Sequence, residues 1–405
     1  MYGQLPPSLT NCTNLITIDI KSNNFSGELT KVNFSNLPNL KNLDLMNNSF
    51  SGKIPESIYS CSNLIALRVS SNKFHGQLSE AIGNLKYLSF LSLANNTLTN
   101  ITSTLQILGS SKNLTILLIG LNFMNETMPD DESIAGFENL QVLAITSCSL
   151  LGKIPHWLSK LKKLELLFLK NNQLTGQIPD WIGSLKFLLC LDISNNSMTG
   201  EIPTALMQMP MLKSEKTAPK VFFELPVWNK NKFMQYLTPS AFPKVLNLAM
   251  NNFTGVIPEE IGQLQGLFSL NLSSNRLSGE IPEQICILTN LQMLDLSGNH
   301  LTGKIPAALN NLHFLSRFNI SNNDLEGTIP NVGQFSTFLD SSFGGNPKLC
   351  GPMVANNCGS AEASPVSIDP RKQIGSEATI FMTAFGVFFV VGVLYDQKVL
   401  ARHFG

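Results

Sequence analysis

Charge is scarce in this chain. Only 14% of its 405 residues are charged, and 28 Lys and Arg balance 28 Asp and Glu. Such a balance lacks the basic excess of a nucleic-acid binder, and the composition is unlike that of a soluble cytosolic enzyme. The five histidines, His75, His156, His300, His313 and His403, are scattered without metal-ligand spacing. Neither a G-x-x-x-x-G-K-[ST] phosphate loop nor a G-x-S-x-G nucleophile elbow occurs. Asp44, Asp192 and Asp295 recur because a segment repeats, not as a catalytic pair. The reading expects no enzyme, no metal and no cofactor. Seven cysteines are too few and too dispersed for a dense disulfide framework, and an odd number leaves at least one thiol free. Only Cys350 and Cys358 lie close together; Cys12, Cys61, Cys190 and Cys286 read as isolated structural thiols.

What is present is repetition. Residues 294–306, "LDLSGNHLTGKIP", follow the template L-x-x-L-x-L-x-x-N-x-L-x-G-x-I-P. Clear copies start at Leu15, Leu40, Leu64, Leu164, Leu188, Leu267, Leu291 and Leu315, and weaker ones at Leu88, Leu114, Leu140 and Pro243. Gly152, Gly176 and Gly200 are spaced by 24, as are Gly255, Gly279, Gly303 and Gly327. Alternating leucines make a short strand with one apolar face. A single coil cannot bury those leucines, so coils must stack into a continuous core. A buried Asn at each turn can serve backbone groups that have no other partner, with Cys148 in that place in one copy. Gly supplies the tight turn after the strand.

This pattern resembles the plant extracellular leucine-rich repeat over roughly residues 1–330, marked by its x-G-x-I-P ending. The resemblance implies an α/β leucine-rich repeat solenoid, a curved and twisted superhelix with a parallel sheet on its concave face. The expected organisation is repeats over 1–203, an insertion over 204–242 and repeats again over 243–340. A C-terminal cysteine cap over 341–358, a Ser/Ala/Pro-rich stalk over 359–373, a membrane helix over 374–395 and a tail over 396–405 follow. "FGGNPKLCGPMVANNC" resembles the family cap, which implies a Cys350–Cys358 disulfide and an oxidising compartment. Ala378–Tyr395 is 18 residues without charge, about 27 Å as a helix and just enough to span a bilayer.

The glycine step of 55 between Gly200 and Gly255 contains about 31 extra residues. They carry Phe222, Phe223, Trp228, Phe233 and Tyr236 among Lys216, Lys220, Lys230 and Lys232. Two readings stand open: a decayed repeat that packs its aromatics on the solenoid, or a folded island over the concave face, since long insertions in regular arrays are often functional. Within it, "FFELPVW" resembles the island of plant receptors for tyrosine-sulfated peptides, the phytosulfokine receptor group. That resemblance implies a peptide lying between island and sheet and pairing with Phe222, Glu224, Leu225, Val227 and Trp228 as an added strand. A second break, "MNETMPDDESIAGF", puts Glu126 where Gly is expected, and Asp130, Asp131 and Glu132 read as a solvated loop.

Three side chains of each strand face the concave side. In late coils they are bland, as in Ser269, Asn271 and Ser273, then Met293, Asp295 and Ser297. Middle coils depart from this: Ala66, Arg68 and Ser70; Phe90, Ser92 and Ala94; Ile116, Leu118 and Gly120. Val142, Ala144 and Thr146 follow, then Leu166, Phe168 and Lys170. Stacked, they are expected to form an exposed apolar stripe with Arg68 and Lys170 at its ends, and exposed contiguous apolar surface marks interaction sites. Drift from consensus in a tolerant sheet is the plainer explanation. The ligand residues expected are Arg68, Phe90, Leu118, Val142, Ala144, Thr146, Leu166, Phe168 and Lys170 with Phe222, Phe223, Glu224, Val227 and Trp228.

Twelve N-x-S/T sequons occur: Asn11, Asn24, Asn33, Asn47, Asn95, Asn100, Asn113, Asn125, Asn195, Asn252, Asn271 and Asn319. The last two fall on strands and are expected to be unmodified. Sequons and cap together favour an extracellular N-terminal side. The chain begins inside a coil, "MYGQLPPSL", without a signal peptide or the usual N-terminal cap, as in a fragment or a truncated copy. The favoured reading is a single-pass plasma-membrane receptor-like protein that binds an extracellular peptide and signals through a co-receptor leucine-rich repeat kinase. Its rivals are an immune receptor for a microbial or cell-wall ligand, a soluble-type inhibitor of a secreted wall-degrading enzyme, and a truncated inactive paralogue.

Overall fold

A computed structural model describes residues 1–213, 225–229, 232–236, 242–330, 333–354, 356 and 358. Among them the chain divides into two compact stacks of coils, one within 1–164 and one within 165–213 and 242–358.

In the first stack six strands run parallel in chain order: β1 (Thr17–Asp19), β2 (Asn42–Asp44), β3 (Ala66–Arg68), β4 (Phe90–Ser92), β5 (Ile116–Leu118) and β6 (Val142–Ala144). Their central residues lie in register: Ile18 beside Leu43, then Leu67, Leu91, Leu117 and Leu143. All six are buried. Each buried leucine contributes about 1.5–3 kcal/mol, a gain that needs a neighbouring coil on either side. The second stack repeats the plan with β7 (Leu166–Phe168) and β8 (Cys190–Asp192). A separate antiparallel hairpin follows, β9 (Leu225–Asn229) with β10 (Lys232–Tyr236), in which Trp228 stands opposite Phe233. The parallel ladder resumes at β11 (Val245–Asn247) directly beside β8, then β12 (Ser269–Asn271), β13 (Met293–Asp295) and β14 (Arg317–Asn319). The insertion is thus expelled from the register, and the coils on either side of it pair as if it were not there.

The insertion begins later than the sequence boundary at 204. Thr204–Gln208 forms the 3-10 turn of a coil and Pro210–Lys213 one helical turn, with Leu206, Met207, Met211 and Leu212 buried. Their apolar spacing still fills a coil, so the repeat continues through Lys213.

The recurring Asn of the template bonds to backbone in the stack. Asn299 Nδ2 donates to Leu272 O of the preceding coil and to Leu296 O of its own, each at 3.0 Å, while its Oδ1 accepts the Leu277 N–H at 3.1 Å. Asn48, Asn72, Asn96, Asn122, Asn196, Asn251, Asn275 and Asn323 repeat this triad. The ladder crosses the insertion: Asn251 Oδ1 accepts from Met198 N–H at 3.0 Å and Nδ2 donates to Ile193 O at 3.1 Å. Cys148 holds the same place with a buried thiol that donates to Thr146 O at 3.3 Å. A second, outer ladder was not anticipated. Asn39, Asn63, Asn113, Asn139 and Asn290, each just before the first leucine of a copy, donate to a carbonyl of the preceding coil at 2.7–3.3 Å.

Backbone sterics explain the turn glycine. Gly303 has φ +74°, and a Cβ there would lie 2.8 Å from Glu280 Cγ. The break near Glu126 also has a structural cause. In the coil before it, α1 (Ile101–Gly109) stands where other coils have a 3-10 turn. Its C-terminal end touches the following loop so closely that a Cβ on Gly136 (φ +89°) would lie 1.9 Å from Gly109 O.

The last coil is closed by aromatic rings. Phe318 lies 5.4 Å from Phe335, 5.3 Å from Phe338 and 5.8 Å from Phe343, and Cys350 is bonded to Cys358 just beyond. No helix among the described residues is long and apolar enough to cross a membrane; the expected stalk, membrane helix and tail at 359–405 lie outside them.

Candidate functional site

The candidate residues divide between the two stacks. Arg68, Phe90, Leu118, Val142, Ala144 and Thr146 stand on the sheet face of the first. Leu166, Phe168 and Lys170 stand on that of the second. Phe222, Phe223 and Glu224 lie outside the described residues, as do Lys216, Lys220 and Lys230. Val227 and Trp228 lie on β9, and Lys232 begins β10.

The expected stripe is not an open apolar surface. Phe90 is 5% exposed, Leu118 and Phe168 1%, and Val142 and Leu166 not at all. Burial is not general to that face: Ser269 is 1% exposed and Asn271 5%, whereas Thr17, Asp19 and Asn42 are exposed.

The two cations are also engaged. Arg68 Nη1 lies 3.4 Å from Asp44 Oδ2, and its guanidinium carbon sits 4.4 Å from the centre of the Phe90 ring. Burial raises the Asp44 carboxyl above its usual range, against the pull of Arg68, the Met46 N–H and Lys21, whose ammonium lies 3.9 Å away. Stacking on an aromatic face and a carboxylate tether fix the guanidinium in one place. Beside it the hydroxyls of Ser70 and Ser92 are hydrogen-bonded to each other. In the second stack Lys170 Nζ lies 3.8 Å from Asp192 Oδ2, and both side chains are 4% exposed. Asp192 Oδ1 accepts from Ser194 N–H at 3.1 Å and Oγ–H at 2.6 Å.

That last motif recurs and accounts for the repeated D/N-x-S. Asp295 Oδ1 accepts from Ser297 N–H, Asn271 Oδ1 from Ser273 N–H and Asn319 Oδ1 from Ser321 N–H, each at 3.0 Å. These groups tie off the end of each strand and are not acid–base pairs. Burial nevertheless pushes the Asp295 carboxyl up to about 6, and its Oδ2 is buried without a partner. Glu165, unremarked in the sequence, is buried with its carboxyl raised to about 7 by desolvation. A charged residue at a position held by Ile16, Lys41 and Ile65 in other coils gives no local signal of burial.

Within the second stack one aromatic of the insertion has a ring contact. Phe242, at its C-terminal end, is buried and meets Phe168 edge-on with ring centres 5.9 Å apart. The acidic loop is partly structural: Asp130 Oδ1 accepts the His156 N–H and Asp131 Oδ1 the Ser133 N–H, both at 2.8 Å. Among the described residues no group of three His, Cys, Asp or Glu could hold a metal ion.

Residues 24–214 match the leucine-rich repeat region family, and 243–264, 266–288 and 290–312 match single leucine-rich repeats. Over 381 residues, 91% of the chain, it is 53% identical to Receptor-like protein 3 of Arabidopsis thaliana. The chain belongs to the leucine-rich repeat proteins. It spans about half the length of that relative, 50%. An 81-residue stretch is 48% identical to Phytosulfokine receptor 1 of Arabidopsis thaliana, covering 20% of this chain and 8% of the receptor. Among solved structures it is similar to a TDR receptor, with a TM-score of 0.66 and 29% identity over 86% of this chain and 58% of the other. The plant peptide hormone receptor RGFR1 in complex with RGF2 gives 0.59 and 28% over 86% and 62%. These likenesses support a leucine-rich repeat solenoid with a parallel sheet.

Proposed function

We propose that this receptor-like chain binds an extracellular peptide on the sheet face of its second stack, beside the end of the insertion at Phe242. The observation that carries this is the edge-on contact of Phe242 with Phe168, by which the end of the insertion returns onto the sheet. The likeness to RGFR1, solved with its peptide RGF2, supports the ligand class. The identity to Phytosulfokine receptor 1 supports a tyrosine-sulfated peptide. In this reading Leu166 and Phe168 of the second stack give contact area and Lys170 sets the polarity of the peptide. Signalling then runs through a partner receptor kinase, with a single span at 374–395 holding the chain in the plasma membrane and the repeats outside.

Isothermal titration of the full chain with a synthetic tyrosine-sulfated peptide and its unsulfated twin tests this. Tighter binding of the sulfated form is expected, reduced by Phe168→Ala. Equal or absent binding ends the sulfate version.

A further inference from the structure

The sequons occupy different positions of the coil, and the position decides which can carry sugar. Asn47, Asn95 and Asn195 immediately precede the ladder residues Asn48, Asn96 and Asn196, with φ of 52°, 55° and 53°. Asparagine is among the few residues that tolerate this left-handed conformation. The ladder residue turns into the coil while its predecessor stays at the surface: Asn195 is exposed, and Asn47 and Asn95 are half-buried. Their surface contacts are light. Asn47 Nδ2 lies 3.4 Å from Ser22 Oγ and Asn195 Nδ2 3.0 Å from Asn171 Oδ1. An amide carrying a sugar keeps one N–H for such a contact.

Asn271 is the opposite case. It lies on β12 between Asn247 of β11 and Asp295 of β13, all three buried. Its Oδ1 is committed to the Ser273 N–H. A sugar there would have to pass between side chains of strands about 4.8 Å apart.

We infer that N-glycans occupy Asn47 and Asn95 in the first stack and Asn195 in the second, and that Asn271 is bare in the folded protein. The transfer takes its oligosaccharide from a lipid-linked diphosphate. The amide nitrogen attacks the anomeric carbon, the carbon–oxygen bond to the diphosphate breaks, the lipid diphosphate leaves with the electron pair, and the nitrogen loses one proton. The enzyme meets the chain unfolded, so the fold selects afterwards: a chain modified at Asn271 cannot close its coil. Asn47 and Asn95 stand two coils apart, about 10 Å. Their sugars form a row along the edge that follows the strands, and a macromolecular partner is kept off that edge. This does not depend on the peptide-binding reading.

The test is enzymatic deglycosylation in ¹⁸O water of the full chain purified from plant cells, which converts each former glycan site to a labelled Asp, followed by peptide mass spectrometry. Label at Asn47, Asn95 and Asn195 and none at Asn271 is expected. The Asn47→Gln, Asn95→Gln double variant should lose the mass of two glycans. Asn271→Asp, which keeps the acceptor for Ser273, should lose no mass and remain folded. Label at Asn271, or none at Asn47 and Asn95, overturns the assignment; so does a chain with no label at any sequon.

Discussion

Glu126 reaches back across one coil to Asn100: its Oε1 accepts the Asn100 N–H and its Oε2 the Ile101 N–H, both at 2.7 Å. A carboxylate thus covers donors at the N-terminus of α1 that the helix cannot satisfy itself. Asn100 adds its own side-chain oxygen, which accepts from Ser103 N–H at 3.0 Å. Glu126→Ala should lower the stability of the first stack by about 1–3 kcal/mol, read as a lower denaturation midpoint. Glu126→Gln should fall between the two, since it keeps one acceptor and loses the charge.

Gly136→Ala is expected to be far more damaging. Its backbone has φ +89°, and the added carbon would overlap the Gly109 carbonyl. Neither partner is a flexible side chain, so α1 or its loop must shift. A loss above about 2 kcal/mol is expected, with loss of protection of the α1 amides in hydrogen exchange.

The two asparagine ladders should differ in strength. Asn299→Ala removes three bonds and leaves the Leu277 N–H without its partner, while Leu272 O and Leu296 O still accept from Asn275 and Asn323, and should cost about 1–3 kcal/mol. Asn63→Ala removes a single exposed bond to Pro38 O at 2.9 Å and should cost below about 1 kcal/mol. Chemical denaturation of the two variants side by side checks this.

Asp295 makes stability depend on pH. Its folded pKa of about 6 lies above the unfolded value near 4, so the folded chain holds the proton more tightly. Stability is therefore greatest below pH ~4 for this group and declines as pH rises to about 6, after which its contribution is constant. Asp295→Asn should flatten that part of the profile and raise stability at pH 7 by about 2–3 kcal/mol. Melting temperatures measured between pH 4 and 7 would show it.

Much of this was readable from the residues because a coil is local chemistry repeated. Strand, turn glycine and inner Asn stand at fixed offsets, and each satisfies a need that recurs every 24 residues. The outer ladder was equally written in the N-L pairs at 39, 63, 113, 139 and 290, but an exposed Asn before a leucine looks like loop composition. The α1 helix was visible only as a missing G-x-I-P and an unexpected Glu126, because its cap comes from the next coil. The apolar stripe was found as a set of residues but not in its state. Alternation says which face a side chain takes, whereas burial on that face depends on what stands on the neighbouring strands.

Each inner-ladder asparagine binds its coil to the preceding one with the same two bonds, even across the insertion, where Asn251 answers Met198 as Asn299 answers Leu277. Junctions that carry this asparagine are therefore interchangeable with one another. Recombination between copies can add or delete whole coils without creating a foreign interface, and a foreign segment can enter wherever two junctions still meet. Such a gene can lengthen, shorten or acquire a new lobe in one event, while a shift of a single residue breaks it.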